Sequence, residues 1–300
     1  MDSILGQTFA DFEFVVIDDG SEDGSWEIIT GYADPRIRRI RHAGNQGLTR
    51  SLNEGLTHVQ GPWVARMDAN DMAEPNRLER QVRRVQAAPG LVLLGANTIL
   101  VDEDGREVGR KRYPDSHEKL VADMLQVRGH FAHSSAFFRT EVVRDMGGYN
   151  PRFLKSQDLD LWLRLAQRGQ LGCTQDYLIR SRQHRDSVSR SATGGYQYLY
   201  ALAARVCYLR RQQGLPDPAQ GSQETWQNFL DTVADTAQAM GLAEALEARA
   251  QLRQIRYGAA NDRREALRAI AHLLQGDSSL LLGLRFSHRY RQAIRQLVQG

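Results

Sequence analysis

The chain has 300 residues, with 39 lysines and arginines set against 36 aspartates and glutamates, for a formal net charge of +3. That length buries a sizeable core in one large or two medium domains, and so even a charge balance gives no call for nucleic acid. Two cysteines, Cys173 and Cys207, argue against a disulfide framework; no apolar run reaches the roughly 20 residues of a membrane span, and no basic-then-apolar leader is present. A soluble cytoplasmic protein is the expectation.

In chain order, Ser3-Ile4-Leu5 reads as the tail of a helix stopped at Gly6. Glu13 to Ile17 reads as a buried strand bounded by Asp18-Asp19-Gly20-Ser21. A chain that starts inside a helix suggests an earlier strand, of about 20–25 residues if one strand and two helical turns are missing. Without it, the edge at Phe14 to Ile17 is expected to stand exposed. Trp26, Ile28 and Ile29 mark a short helix, and Ile37 to Ile40 a second strand. After the turn Gly44-Asn45-Gln46-Gly47, Leu48, Leu52 and Leu56 recur every four residues, as on one helical face.

Trp63-Val64-Ala65 then leads into Asp68, Asn70 and Asp71, and Pro75 opens a helix running to about Ala88. This is the pattern of a central strand ending in acidic and amide groups, the edge where open α/β sheets bind ligands. Closely spaced oxygen ligands suit magnesium or manganese shared with substrate phosphates. The alternative is an acidic loop that caps the next helix. Val92-Leu93-Leu94 is a further strand, and Thr98 to Val101 with Val108 to Arg112 form a hairpin. Strands alternating with helices up to residue 90 predict a mainly parallel sheet.

Two polar clusters follow, His130 to Ser135 and Ser156 to Leu165. In the second, Leu159, Trp162, Leu163 and Ala166 share a helical face, which puts Gln157 and Asp158 at the helix N-terminus. Asp there is a common cap that needs no function. From about residue 195 the pattern is helical: one stripe runs through Leu199, Leu202, Val206 and Leu209, another through Trp226, Phe229, Leu230, Val233, Ala237 and Met240. Leu246 to Ile255 and Ala266 to Leu274 continue it. Core packing explains such stripes. The segment from Leu280 through Arg295 mixes apolar residues with arginines and fits either an anionic membrane surface or, the favoured reading, packing on the catalytic domain.

Taken together, D-F-E-F-V-V-I-D-D-G-S-E-D-G-S, G-N-Q-G-L-T-R-S-L-N-E-G, A-R-M-D-A-N-D, G-G-Y-N-P-R-F, S-Q-D-L-D-L-W-L-R-L and H-R-D-S-V-S form an ordered set. It resembles the signature of glycosyltransferase family 2 over about residues 2–190. The resemblance implies an α/β, GT-A-like domain over 1–192, with a helical region over 193–300 that carries no recognised catalytic motif. It implies a metal-dependent, inverting, hexosyltransferase-type enzyme using a UDP- or GDP-linked sugar and a glycan or lipid-linked acceptor, as in surface polysaccharide assembly. A catalytically weak relative that binds nucleotide, glycan or a partner protein is the second reading.

Residue by residue, the resemblance places Asp18 and Asp19 beside the nucleotide base, where a carboxylate accepts from a uracil or guanine N–H; an Asx turn is the plainer reading. Asn45 and Gly47 match the loop beside the nucleotide, where glycine permits close approach. Asp68 matches the diphosphate motif, and Asn70 and Asp71 the metal site. Asn70 stands where an aspartate is expected, which removes one negative charge. His184 matches a late histidine that completes the metal or phosphate site. Asp158 matches the base that deprotonates the acceptor hydroxyl. Gln157 and His133 are acceptor-side residues, a buried and satisfied histidine being an equal reading of the latter.

Overall fold

In the computed structural model, residues 1–183, 194–242 and 284–300 are described. After a single helical turn, α1 (Asp2–Leu5), strand β1 (Phe14–Asp18), α2 (Ser25–Thr30), β2 (Ile37–Arg41) and α3 (Leu48–His58) make a β-α-β-α run. Its strands pair in parallel from Phe14↔Ile37 to Asp18↔Arg41. Among the described residues β1 pairs with β2 alone, and Phe14 to Ile17 are only half-buried although apolar on both faces, as expected for a strand with an open edge.

The larger sheet takes β3 (Trp63–Ala65), β4 (Met72–Ala73), β5 (Leu91–Val101), β7 (Phe137–Arg139) and β8 (Gln170–Arg182) in the order β3-β7-β5-β8-β4, with β6 (Glu107–Lys111) on the far end of β5. The expected parallel arrangement is met in β1/β2 and in the long β5/β8 ladder. The four other pairings are antiparallel, so the sheet is mixed; of these, β5/β6 is a hairpin of consecutive strands. Strand β3, expected at the centre, lies at an edge.

Two expected strands, Val92–Leu94 and Thr98–Val101, are one continuous strand buried along its whole length. Gly95 does not interrupt it. A Cβ at Gly95 would lie 2.3 Å from the Phe131 ring, so glycine is what lets that ring settle on the strand. Helices α4 (Arg77–Gln86), α5 (His117–Leu125), α6 (Thr140–Asp145) and α7 (Gln157–Leu165) complete this part.

Helix α7 is buried on more than the one face that its period suggests: Leu159, Asp160, Leu161, Trp162, Leu163 and Leu165 are all inaccessible. The other side is covered by α8 (Gly194–Gln212). Phe131, Phe138, Phe153 and Trp162 share one core with Tyr200, Cys207 and Trp226, the last on α9 (Gln223–Ala239). The helical region therefore continues the hydrophobic core of the sheet-bearing part. A last helix, α10 (Leu284–Gln299), packs Tyr290, Ala293, Leu297 and Val298 against Leu202, Val206 and Val233. These contacts are with α8 and α9. Leu246 to Ile255, Ala266 to Leu274, Leu280 to Gly283 and His184 lie outside the described residues. No helix among the described residues is long and apolar enough to cross a membrane.

Candidate active site

The loop after β3 is built on two arginines. Arg77, at the start of α4, is fully buried and donates through Nη2 to the Arg66 carbonyl (2.8 Å) and the Ala136 carbonyl (3.3 Å), and through Nε to Gln81 Oε1 (3.0 Å). Burial, then repulsion from Arg66, pushes the Arg77 guanidinium down to about 9, so it stays charged at neutral pH. Arg66, also buried, pairs with the Asp68 carboxylate and reaches Ser134 Oγ at 3.4 Å. Two buried cations thus sit under an acidic turn and fix where it emerges from the sheet.

Ser134 Oγ lies 2.7 Å from Asp68 Oδ2 and 2.6 Å from Asp71 Oδ2. A hydroxyl has one proton to donate, so only one of these contacts is its donation; the other is held together by a second proton or by a cation in its place. Asp71 is anchored on the opposite side, its Oδ1 accepting from the Arg182 N–H at 2.9 Å. Burial, opposed by the Ser134 hydrogen bond and reinforced by repulsion from Asp68, raises the Asp71 carboxyl above the usual carboxylate range. Two carboxylates converging on one point fit a hard divalent cation that completes its shell with phosphate oxygens and water. Among the described residues there is no cluster of three or more His, Cys, Asp or Glu side chains placed to hold a metal. Asn70 is exposed on the turn and does not join the carboxylate pair.

Asp158 is the second residue of α7 and is one-fifth exposed. It is not the helix cap: Ser156 holds that position in a left-handed conformation (φ 54°), and its hydroxyl turns away to the Gln197 carbonyl. Asp158 Oδ1 accepts from the Leu159 N–H (2.8 Å), while Oδ2 lies 3.9 Å from His130 Nδ1. Burial works to raise its carboxyl, but the neighbouring His130, His133 and Arg66 outweigh this and hold it below the usual range. His133 packs edge-on to Trp162, with Nε2 2.8 Å from the Tyr149 hydroxyl. Burial, then Arg66, pushes the His133 pKa well below the ordinary histidine value, against the pull of Asp158. Gln157 is half-buried beside Asp158.

A second polar group sits at the ends of β1 and β2. Asp18 Oδ1 accepts from the Ser21 N–H (3.0 Å), the turn contact that the plainer sequence reading expects. Asp18 Oδ2 lies 3.2 Å from Arg41 Nε without the alignment of a hydrogen bond. Asp19 Oδ1 accepts from Gln46 N and Oδ2 from Gly47 N, both at 2.9 Å, and Asn45 Oδ1 also accepts from Gly47 N. Gly20 closes against this loop, where a Cβ would come within 2.6 Å of the Gly44 backbone.

The sequence reading passed over His42. It is buried, with Nδ1 2.6 Å from Asp19 and Nε2 2.8 Å from Glu54. The Asp19 hydrogen bond, then Glu54, raises its pKa. A raised histidine stabilises the fold fully below its unfolded value near 6.5 and loses that contribution as pH rises through the folded value. His42→Gln is therefore expected to lower stability by about 1–2 kcal/mol at pH 6, and by progressively less above pH 7. Thermal melts of both proteins against pH measure the gap; a gap that widens with pH contradicts this ion bridge.

The structure thus joins Asp68 and Asp71 at Ser134 beside Arg66, with His133 on Tyr149 and Asp158 within the field of Arg66 and His133, and it brings Asp18, Asp19, Asn45 and Gly47 together at a second pair of loops. The two groups are tied where Thr49 donates to the Phe153 carbonyl (3.5 Å) and where Asn53 exchanges two 2.8 Å hydrogen bonds with the Tyr149 backbone. Arg66, Tyr149 and His42 escaped the sequence reading. A signal existed for Arg66, a charge closing an otherwise apolar strand.

Residues 1–147 match the family described as "Glycosyl transferase family 2". The chain is 31% identical over 222 residues to the "Putative glycosyltransferase EpsE" of Bacillus subtilis (strain 168), covering 72% of this chain and 77% of that protein. It is also 31% identical over 205 residues to the "O-antigen biosynthesis glycosyltransferase WbnJ" of Escherichia coli, covering 66% and 78%. Among solved structures, S. aureus TarS 1-349 superposes with a TM-score of 0.56 at 13% identity, covering 99% of this chain and 83% of that one. The mannosyltransferase PcManGT from Pyrobaculum calidifontis, in complex with GDP-Man and Mn2+, superposes at 0.52 and 16% identity, covering 99% and 80%. These two likenesses concern the fold.

Proposed function

The chain belongs to glycosyltransferase family 2, and from that membership we propose that it transfers a sugar from a nucleotide-diphosphate donor to an acceptor hydroxyl with inversion, in the assembly of a surface polysaccharide or glycolipid. The observation that carries the proposal is the convergence of Asp68 and Asp71 on Ser134 Oγ, in one cluster with Asp158 at the head of α7. The relatives include proteins named for O-antigen, amylovoran and succinoglycan biosynthesis, which supports a polysaccharide or lipid-linked acceptor.

In this reading Asp158 accepts the proton of the acceptor hydroxyl as its oxygen forms the bond to the anomeric carbon. The bond from that carbon to the diphosphate oxygen breaks on the opposite face, and the departing nucleoside diphosphate keeps the electron pair. His130 and Arg66 hold Asp158 ionised before the step. Asp68 and Asp71 would hold a divalent cation, manganese or magnesium, whose charge would offset that of the leaving diphosphate. Asp19 shapes the Asn45–Gly47 loop against the nucleoside, and Asp18 sets the turn beside it. Gln157 and His133 line the acceptor side.

Calorimetric titration of the full chain with UDP and with GDP, with and without manganese, tests this. One diphosphate is expected to bind, at least about tenfold more tightly with the metal, a difference of ~1.4 kcal/mol. In Asp68→Ala that metal dependence is expected to vanish. Failure of both diphosphates to bind in the presence of manganese rejects the proposal.

A further inference from the structure

The loop that brings His130 to Asp158 is held by the far end of the chain. Helix α5 ends at Leu125, and its last carbonyls need donors from outside the helix. Two come from the C-terminal helices. Arg205 Nε, on α8, donates to the Met124 carbonyl at 2.6 Å, and Tyr290 Oη, on α10, donates to the Leu125 carbonyl at 2.8 Å across 165 residues of sequence.

The chain then turns sharply. The Arg128 N–H bonds to the Asp123 carbonyl (2.9 Å), closing a turn whose left-handed position is Val127, with φ 59°. Glycine is the usual occupant of that position, and a β-branched residue there is a conformational outlier that its surroundings must enforce. The surroundings are the C-terminal helices: Val127 packs into the cluster of Leu202, Val206 and Tyr290. Three residues later His130 faces Asp158 Oδ2 at 3.9 Å, its Nδ1 also 3.0 Å from the Phe131 carbonyl. At 3.9 Å the contact is too long for a hydrogen bond, and its strength depends on where the loop holds the ring.

We propose that Tyr290 is a positioning residue for the base: by fixing the end of α5 and the left-handed turn at Val127, it holds His130 beside Asp158, so that the C-terminal helices complete the active site without touching the substrate. The inference rests on the reading of Asp158 as the base. It also gives the helical region a task in the reaction beyond covering the core.

The test uses the full chain and Tyr290→Phe, which removes one oxygen and keeps the ring in the core. Hydrogen exchange of residues 126–131 is expected to quicken in the variant, with α7 and α8 unchanged. With labelled histidine, the His130 imidazole signal, identified by its loss in His130→Gln, is expected to move in Asp158→Asn and in Tyr290→Phe alike. Turnover is read as nucleoside diphosphate release from UDP- and GDP-sugars with water as acceptor. For Tyr290→Phe, kcat is expected to fall ~3- to 10-fold with the donor KM within about twofold, and His130→Gln is expected to give the same split. Unchanged exchange and an unmoved His130 signal overturn the inference whether or not any donor is turned over. Equal turnover in wild type and Tyr290→Phe overturns it also. A wild type inert toward every nucleotide sugar overturns instead the reading of Asp158 as base, and with it the catalytic meaning of the brace.

Discussion

Asp158→Asn is expected to reduce sugar transfer by about 10²- to 10⁴-fold while leaving nucleoside diphosphate affinity within about twofold. The carboxylate makes no contact with Asp68 or Asp71. Its bonding partner is the Leu159 N–H beside it, a contact that the amide oxygen of asparagine reproduces, so the head of α7 is retained. What is lost is the acceptor of the proton and the negative charge that His130 and Arg66 hold in place. Steady-state kinetics beside calorimetry separates the two consequences. A variant as active as the wild type removes Asp158 from the mechanism, and a variant that no longer binds the diphosphate shows that the residue serves the donor site instead. A protein that only binds nucleotide or glycan has no use for the carboxylate, so this substitution also separates an enzyme from a binding relative.

The largest loss of stability is expected from Arg77→Ala, about 2–4 kcal/mol. The guanidinium is fully buried and supplies donors to the Arg66 carbonyl, the Ala136 carbonyl and Gln81. Ala136 keeps the Arg66 N–H as a partner, but the Arg66 carbonyl and Gln81 Oε1 lose the donors described here, and a cavity opens beneath the acidic turn. Arg77→Met refills most of that volume and buries no charge, so it is expected to lose less, about 1–2 kcal/mol, the cost of unsatisfied acceptors. Urea unfolding of the three proteins gives both differences. An alanine variant within about 0.5 kcal/mol of wild type, the range of an ordinary surface substitution, contradicts the account of Arg77 as the support of the Asp68 loop. Because that support sets where Asp68 emerges, Arg77→Ala is also expected to weaken the manganese dependence of diphosphate binding.

Much of this protein was legible before any coordinates. The periodic leucines of α3, the apolar run of β1, the isoleucines of β2, the hairpin after Val101 and the helical C-terminal part follow from local chemistry, and the structure contains each of them. The ordered motifs carried the family, and the acidic turn at Asp68 marked a cluster of polar groups. Local pattern failed where burial decides. Val92–Leu94 and Thr98–Val101 read as two strands, yet with Phe131 seated over Gly95 the backbone runs through as one. Helix α7 reads as amphipathic, yet α8 closes over its second side and buries Asp160 with Arg164 as its partner.

The sequence by itself determined the family, the alternation of strands and helices, and the residue types available for chemistry, because these depend on neighbours along the chain. Only the tertiary structure decided which of them meet. It set Asp68 and Asp71 on one serine hydroxyl and left Asn70 on the surface. It turned Asp19 inward onto His42 and the Gly47 loop. It also brought Tyr290 to the end of α5. Each of these contacts joins residues far apart in sequence, and no periodicity reports them; they exist because a buried charge or carbonyl must find a partner wherever the packed chain presents one.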